Sequence, residues 1–176
     1  SVPFVLHDHS IQDIYIEKTT AAELSKIKLS NGEALPTLES YLLAGKNQTQ
    51  TRLILEIKTS QVSKARSLAL TKKCVELVNK TGVAAITDYI AFDFDVCLEV
   101  KKLAPKAHVQ YLTGDKTPAQ IEAAGLDGFD YHFSVLQKNE NWLADAHALK
   151  LSTNAWTVND VAIMQWLIDR KVDMIT

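Results

Sequence analysis

Short runs of β-branched and aromatic residues alternate with longer amphipathic segments along the whole chain. The runs typical of strands are residues 2–6, 53–57, 83–87, 108–112, 128–132, 152–157 and 172–175. Apolar side chains recur at helical spacing in residues 62–79, 93–103, 117–124, 142–149 and 159–170. Asp93, Asn159 and Thr117, which is followed by Pro118, stand where N-cap residues are preferred. The pattern predicts strands and helices in regular alternation.

This alternation indicates an α/β fold with parallel strands, because tight turns cannot join parallel neighbours. An open doubly wound sheet and a closed (β/α)8 barrel both fit the pattern. A dinucleotide-binding open sheet usually carries a glycine-rich turn after its first strand. Here the first run is followed by His7-Asp8-His9-Ser10, and no glycine occurs before Gly32. We therefore favour the TIM barrel.

Residues 7–53 are the one stretch that breaks the alternation. They contain a helical pattern at residues 20–27, a turn at Asn31-Gly32 and a second helix that opens around residues 35–39. In barrel enzymes, loops that follow strands carry the functional site. We expect this stretch to lie on that face.

Composition narrows the class of protein and its partners. The chain has 176 residues, of which 47% are hydrophobic and 23% charged, with a net charge of −2. These values are typical of a globular domain and exclude disorder or a disulfide scaffold. The charges form no basic stripe and no apolar run approaches 20 residues, so we expect neither a nucleic-acid partner nor a transmembrane segment. Cys74 and Cys97 are predicted to be buried free thiols, with a disulfide as the alternative.

Three places carry residues suited to chemistry. His7-Asp8 follows an apolar run, and a histidine beside a carboxylate suits proton transfer, although a surface histidine would look the same; His9 is expected to face solvent. In the run 53–58, Glu56 and Lys58 share one face, where they could bind a hard cation and an anionic oxygen or form a structural ion pair. Trp156 could line a pocket or belong to the core.

Together these motifs resemble the glycerophosphodiester phosphodiesterase family, over nearly the whole chain and in the family's order. They are Val2-Pro3-Phe4-Val5-Leu6-His7-Asp8, Leu35-Pro36-Thr37-Leu38-Glu39, Leu55-Glu56-Ile57-Lys58, Tyr111-Leu112, Ala155-Trp156-Thr157-Val158-Asn159 and Val172-Asp173-Met174-Ile175-Thr176. The resemblance implies a (β/α)8 TIM barrel of the phospholipase C-like phosphodiesterase type. Its implied activity is hydrolysis of glycerophosphodiesters to an alcohol and glycerol phosphate, with Ca²⁺ or Mg²⁺ as cofactor.

The resemblance also implies roles for individual residues. His7 matches the second of two catalytic acid/base histidines, and Asp8 belongs to the same motif as an orienting residue. Glu56 matches a metal ligand, and Lys58 a catalytic residue beside the phosphate. Trp156 and Phe92 are expected to contact the substrate.

Some of the family's pattern has no counterpart in this sequence. Its His-Arg-Gly and Glu-x-Asp motifs would precede Ser1, Ala91 replaces a serine, and no arginine precedes Thr19-Thr20. We therefore expect residues 1–176 to be one incomplete barrel domain without its first strands and extreme C-terminus, with weak metal binding and little turnover on its own.

Two alternatives to the enzyme remain open, and two properties are left undecided. The alternatives are an inactive barrel used for binding and a phosphatidylinositol-specific phospholipase C-like enzyme. A homo-oligomer is possible, and the compartment is unknown, with a periplasmic or secreted location slightly favoured over the cytoplasm.

Overall fold

A computed structural model describes residues 2–176 of the chain. A short antiparallel hairpin, β1 (Ser10–Ile11) and β2 (Ile14–Tyr15), lies near the amino end. The main sheet contains six parallel strands, which are β3 (Leu53–Glu56), β4 (Thr87–Ala91), β5 (His108–Tyr111), β6 (Gly128–His132), β7 (Ser152–Trp156) and β8 (Met174–Ile175). Their order in the sheet is their order in the chain. This is the strand order of a TIM barrel.

Helices α1 (Ala21–Leu24) and α2 (Leu38–Gly45) lie between the hairpin and β3, and the later helices connect successive strands of the sheet. The connecting helices are α3 (Lys64–Thr81), α4 (Phe94–Leu103), α5 (Pro118–Ala123), α6 (Phe133–Lys138), α7 (Trp142–Ala148) and α8 (Val161–Asp169). Two short 3₁₀ helices occupy Ile16–Lys18 and Ala84–Ile86. Within residues 2–176, no helix combines the length and apolar character needed to cross a membrane.

The hydrophobic core lies between the sheet and its helices. Alternate strand residues such as Tyr89, Val109 and Phe129 are buried in one cluster with helix residues such as Val78 and Val96. Because strand side chains alternate, the other face of the sheet is left as the inner face of the barrel. The sheet thus has an apolar outer face under the helices and an inner face free for polar residues.

Both cysteines are free and buried, as predicted. Burial raises the pKa of the Cys74 and Cys97 thiols to about 12. Thiolates are therefore disfavoured at both positions.

The N-cap predictions are confirmed at two of three helices. The side chains of Asp93 and Thr117 each accept a hydrogen bond from a backbone N–H of the helix that follows. The third prediction, Asn159, is wrong: Asp160 caps α8 by accepting from the N–H of Ile163 at 3.0 Å. The carboxylate one residue later is the group in reach of the free amide.

The strand predicted at residues 83–87 begins four residues later than expected. Residues Ala84–Ile86 form a 3₁₀ helix, and the strand covers Thr87–Ala91. The strand was not predicted at its true position because it contains Asp88, and a carboxylate is uncommon in a buried strand. In the structure Arg52 neutralises Asp88, with its Nε and Nη2 each 2.6 Å from a carboxylate oxygen.

The strand predicted at residues 2–6 is also wrong. This segment runs antiparallel beside the chain that leads into α2, with a single bridge between Phe4 and Thr37, and does not join the sheet. The β1–β2 hairpin was not expected, because Gln12 and Asp13 take the positive φ of its turn without a glycine. Helix α6 was likewise missed, being only six residues long.

Candidate active site

Polar residues of the inner face gather at the carboxyl ends of the strands. Glu56 lies at the end of β3, Asp130 and His132 lie on β6, and Trp156 ends β7. The register pairs His132 with Trp156 and Asp130 with Asn154, so these four side chains share a face. Active sites of TIM-barrel enzymes are built at this end.

Glu56 and Lys58 form the charged part of this end. Lys58 Nζ donates to Glu56 Oε1 at 2.9 Å, and about a quarter of each side chain remains exposed. They line a cavity of about 460 Å³, which also includes Asp8 and His9. Leu55 and Ile57, whose side chains alternate with those of Glu56 and Lys58, also line the cavity, so it extends along the edge strand β3. A carboxylate and an ammonium group thus meet at the mouth of a partly apolar cavity.

The motif histidine lies outside this cavity. The side chain of His7 is 90% exposed, and its Nδ1 lies 2.8 Å from Asp8 Oδ1. His9, which we expected to face solvent, is instead partly buried and lines the cavity. Residues 7–9 form a bend, in which His9 is partly buried while His7 and Asp8 are exposed at the rim. The structure therefore does not bring His7 against Glu56.

Glu17 holds the amino-terminal segment against the loop after β3. Its carboxylate accepts from Ser60 Oγ at 2.5 Å and from the Gln61 N–H at 2.8 Å, and Arg66 Nε lies 3.4 Å away. Burial opposes ionisation, but these hydrogen bonds and the arginine lower the pKa of Glu17. The segment that carries Asp8 and His9 is thereby fixed beside Lys58.

Aromatic rings form the other part of the carboxyl end. Trp156 contacts Phe92 edge-on, with ring centroids 5.6 Å apart, and contacts His132 in the same way at 5.1 Å. The indole Nε1 donates to the Asp130 carbonyl oxygen at 2.9 Å. Phe92 is 44% exposed. The predicted pocket residues Trp156 and Phe92 are therefore brought together, with His132 as an unforeseen third member.

Asp130 is the most perturbed carboxyl group on the inner face. Only 4% of the residue is exposed, and its Oδ1 is buried without a hydrogen-bond partner. Burial and, to a lesser extent, the nearby charge of Glu56 raise its pKa to about 7, although Asn154 opposes the rise. Such shifts cluster at functional sites.

Comparison with known proteins identifies the family of this chain. A profile of the Glycerophosphoryl diester phosphodiesterase family matches residues 1–176. The chain belongs to this family. A crystal structure of a glycerophosphodiester phosphodiesterase from Parabacteroides distasonis superimposes with a TM-score of 0.96 at 40% identity, covering 99% of this chain and 73% of that one. The chain is thus a member of a family of phosphoric diester hydrolases with a TIM-barrel fold.

More distant structures share the fold. A phosphodiesterase from Oleispira antarctica, solved with the product sn-glycerol-3-phosphate, has a TM-score of 0.79 at 20% identity and covers 99% of this chain and 74% of that one. A glycerophosphodiester phosphodiesterase from Thermotoga maritima has a TM-score of 0.72 at 19% identity, with coverage of 98% and 74%. A comparison with curated protein sequences finds no match.

The carboxylates of residues 2–176 do not by themselves make a complete cation site. Nowhere in that part of the chain do three His, Cys, Asp or Glu side chains come together as a possible metal cluster. Ca²⁺ takes six to eight oxygen ligands, and Mg²⁺ six. Glu56 has the right chemistry for one of them, but its neighbour within hydrogen-bonding distance is the ammonium group of Lys58. These residues thus supply only part of the oxygen ligands that Ca²⁺ or Mg²⁺ requires, with Glu56 as a candidate for one of them.

Sequence reasoning missed Asp130, His132 and the inward placement of His9. The first two could have been found, because the run 128–132 is a predicted strand and alternation puts Gly128, Asp130 and His132 on one face. His9 could not, since its direction depends on the hairpin that follows it.

Proposed function

We propose that this chain hydrolyses glycerophosphodiesters to an alcohol and glycerol phosphate, with Ca²⁺ or Mg²⁺ as cofactor and with histidine acid/base catalysis. The observation that carries the proposal is the Glu56–Lys58 pair, 2.9 Å apart at the carboxyl end of β3. This pair opens into a cavity shared with the segment that bears the His7-Asp8 motif. Family membership supports the same reaction.

Lys58 is assigned to the phosphate. Its side chain is about three-quarters buried at the cavity mouth, where a cation attracts a phosphodiester anion more strongly than it would in open water. Glu56 holds Lys58 in place and is assigned as one oxygen ligand of the cation. Because Glu56 stands without further carboxylates in contact, we expect residues 2–176 to bind Ca²⁺ or Mg²⁺ weakly.

His7 is assigned to proton transfer, with Asp8 as its orienting partner. A carboxylate only accepts hydrogen bonds, so the 2.8 Å contact indicates that His7 carries a proton on Nδ1. The neutral ring then presents the lone pair of Nε2, which is the form that acts as a general base. Substrate binding would have to include the rim where His7 lies.

The proposal is tested by following glycerol phosphate release from a glycerophosphodiester in the chelated protein and after addition of Ca²⁺ or Mg²⁺. Because the cation is expected to bind weakly, we expect slow release, and only at high concentrations of added cation, with a further fall of about 10² to 10⁴ in rate for His7→Asn. His9→Asn, which changes a neighbouring histidine in the cavity, is the matched control and should change the rate by no more than a few-fold.

The products separate this proposal from its alternatives. Free glycerol phosphate supports it, and a cyclic phosphate product would favour the phospholipase C-like reaction. Binding of glycerol 3-phosphate without turnover at any cation concentration would favour a binding module. Either of these results would overturn the proposed hydrolysis.

A further inference from the structure

His132 is a histidine at the carboxyl end of the sheet that the proposed reaction does not use. It ends β6 and is paired with Trp156 in the register, so its side chain shares the inner face with the aromatic part of the site. Its ring centroid lies 5.1 Å from that of Trp156 and 4.4 Å from that of Phe133. The imidazole therefore packs against two aromatic rings at the carboxyl end of the sheet.

The hydrogen bonds of the ring settle which nitrogen carries the proton. The backbone N–H of Ser134 donates to His132 Nδ1 at 3.3 Å, and Ser134 Oγ lies 2.7 Å from the same atom. A backbone N–H can only donate, so Nδ1 is an acceptor and the neutral ring carries its proton on Nε2. Nε2 makes no hydrogen bond with any other residue among 2–176. His132 thus offers one free, oriented donor.

The substrate has two chemically different parts, and so does this end of the sheet. Glu56 at the end of β3 and Lys58 just after it place the charged groups at one side, while Phe92, His132 and Trp156 place apolar surface with a single donor at the other. A phosphodiester group fits the charged side. A glycerol chain, with carbon-bound hydrogens and neutral hydroxyl oxygens, fits an aromatic surface that carries a neutral donor.

We propose that His132 is an additional substrate-binding residue, whose Nε2–H donates to a hydroxyl oxygen of the glycerol moiety while Trp156 packs against its carbon chain. Ser134 is the positioning residue, because its bonds to Nδ1 fix both the ring and its tautomer. This inference rests on the proposed function, since it specifies how that site recognises its substrate.

The test compares two ligands that differ only in the glycerol part. Binding of glycerol 3-phosphate and of inorganic phosphate is measured by calorimetric titration of the full chain, with the same cation concentration throughout. His132→Phe keeps an aromatic ring but removes the donor. We expect it to weaken glycerol 3-phosphate binding about three- to tenfold, the range of one neutral hydrogen bond, and to leave phosphate binding within twofold.

Three further variants make the result specific. His132→Gln retains a donor and should recover most of the lost affinity, and Ser134→Ala should weaken glycerol 3-phosphate binding about twofold by freeing the ring. Gln137→Ala changes an exposed residue of the same helix and serves as the matched control. It should alter neither ligand's affinity. Ser134→Ala also keeps the test informative if His132→Phe does not fold.

The outcomes distinguish this inference from the proposed function. If the wild-type chain binds glycerol 3-phosphate and releases it from a diester, but His132→Phe and Ser134→Ala bind it normally, only the role of His132 is overturned. Equal weakening of both ligands would also overturn it, because the donor would then contact phosphate. If the wild-type chain neither binds nor releases glycerol 3-phosphate, the proposed function fails together with the inference.

Discussion

The two ends of the sheet differ in how closely their polar groups are linked to one another. At the amino end, Arg52 bonds both carboxylate oxygens of Asp88, and Ser152 Oγ lies 2.9 Å from both His108 Nε2 and Gln110 Nε2, although His108 Nδ1 is buried without a partner among residues 2–176. Toward the carboxyl end, in the same part of the chain, Lys58 has one partner, the Nε2 atom of His132 has none, and Asp130 has a buried oxygen without any. Buried polar groups normally find partners, so those left unpaired call for an explanation.

This difference indicates that the amino end of the sheet stabilises the fold, whereas polar groups at the carboxyl end are available to bind a ligand. A network whose members bond one another contributes to folding but offers nothing to a ligand. Groups left unpaired at the other end carry a free-energy cost that a ligand can relieve. In a TIM barrel, that division matches a stabilising amino end and a functional carboxyl end.

The largest loss of stability is expected on substitution of Gly128, which lies beside Ser152 at the amino end of the sheet. A Cβ added there would lie 2.0 Å from the Ser152 carbonyl oxygen, so the backbone of β6 or β7 must move. Gly128→Ala should lower the free energy of unfolding by about 3 kcal/mol. Urea unfolding followed by circular dichroism measures this. Gly32→Ala is a useful contrast, since nothing lies within 4 Å of its Cβ position and only its φ of +85° opposes a side chain, at a cost of about 1 kcal/mol.

Replacing Asp130 should raise the free energy of unfolding, because the ionised form of this carboxyl group is disfavoured in the folded protein. Its pKa rises from 3.8 to about 7, so the wild-type chain loses stability as pH increases through that window. This rise in pKa corresponds to a loss of roughly 4 kcal/mol in the stability of the wild-type chain once the carboxyl is ionised. Asparagine avoids that loss, but burying its amide has a smaller cost of its own. Asp130→Asn should therefore be more stable than wild type by on the order of 2 kcal/mol at pH 8.

The gain of Asp130→Asn should vanish near pH 4, where the wild-type carboxyl is protonated. Unfolding curves in urea at pH 4, 6 and 8, with a chelator present, provide the measurement. A stability difference that does not change with pH would show that Asp130 is ionised in the folded protein.

The smallest effect is expected at Trp156, where one hydrogen bond can be removed alone. Trp156→Phe keeps an aromatic ring but loses the 2.9 Å bond from Nε1 to the Asp130 carbonyl oxygen. We expect a loss of about 1 kcal/mol in stability and a rise of a few-fold in KM, because the ring is held less firmly. A larger fall in kcat than rise in KM would argue against a purely binding role.

Much of the fold follows from the sequence pattern. Five of the seven predicted strands lie in the sheet with bounds within two residues of those predicted, because alternation and helix caps are local signals. The strand after Gly82 was misplaced because Asp88 is stabilised by Arg52, 36 residues away in the chain. Long-range pairing of this kind leaves no local signal.

The site was predictable only in its charged part. Glu56 ends β3 and Lys58 follows it by two residues in extended chain, so alternation alone brings them together. The aromatic part joins Phe92, His132 and Trp156 from the carboxyl ends of three strands, which depends on the register of the sheet. The outward direction of His7 depends on the turn geometry around it.

The most direct test of the account is a paired measurement on Glu56→Gln and Asp88→Asn, one variant from each end of the sheet. For each protein, cation-dependent release of glycerol phosphate and the free energy of unfolding are measured on the same preparation. We predict that Glu56→Gln loses about 10³ in rate and changes stability by less than about 0.5 kcal/mol. Asp88→Asn should lose about 1 to 2 kcal/mol of stability and keep its rate within a few-fold. The expected loss is modest because Arg52 is half exposed, so solvent screens the ion pair. The opposite pattern, with Glu56→Gln active but unstable, would contradict the assignment of the carboxyl end as the site of the reaction.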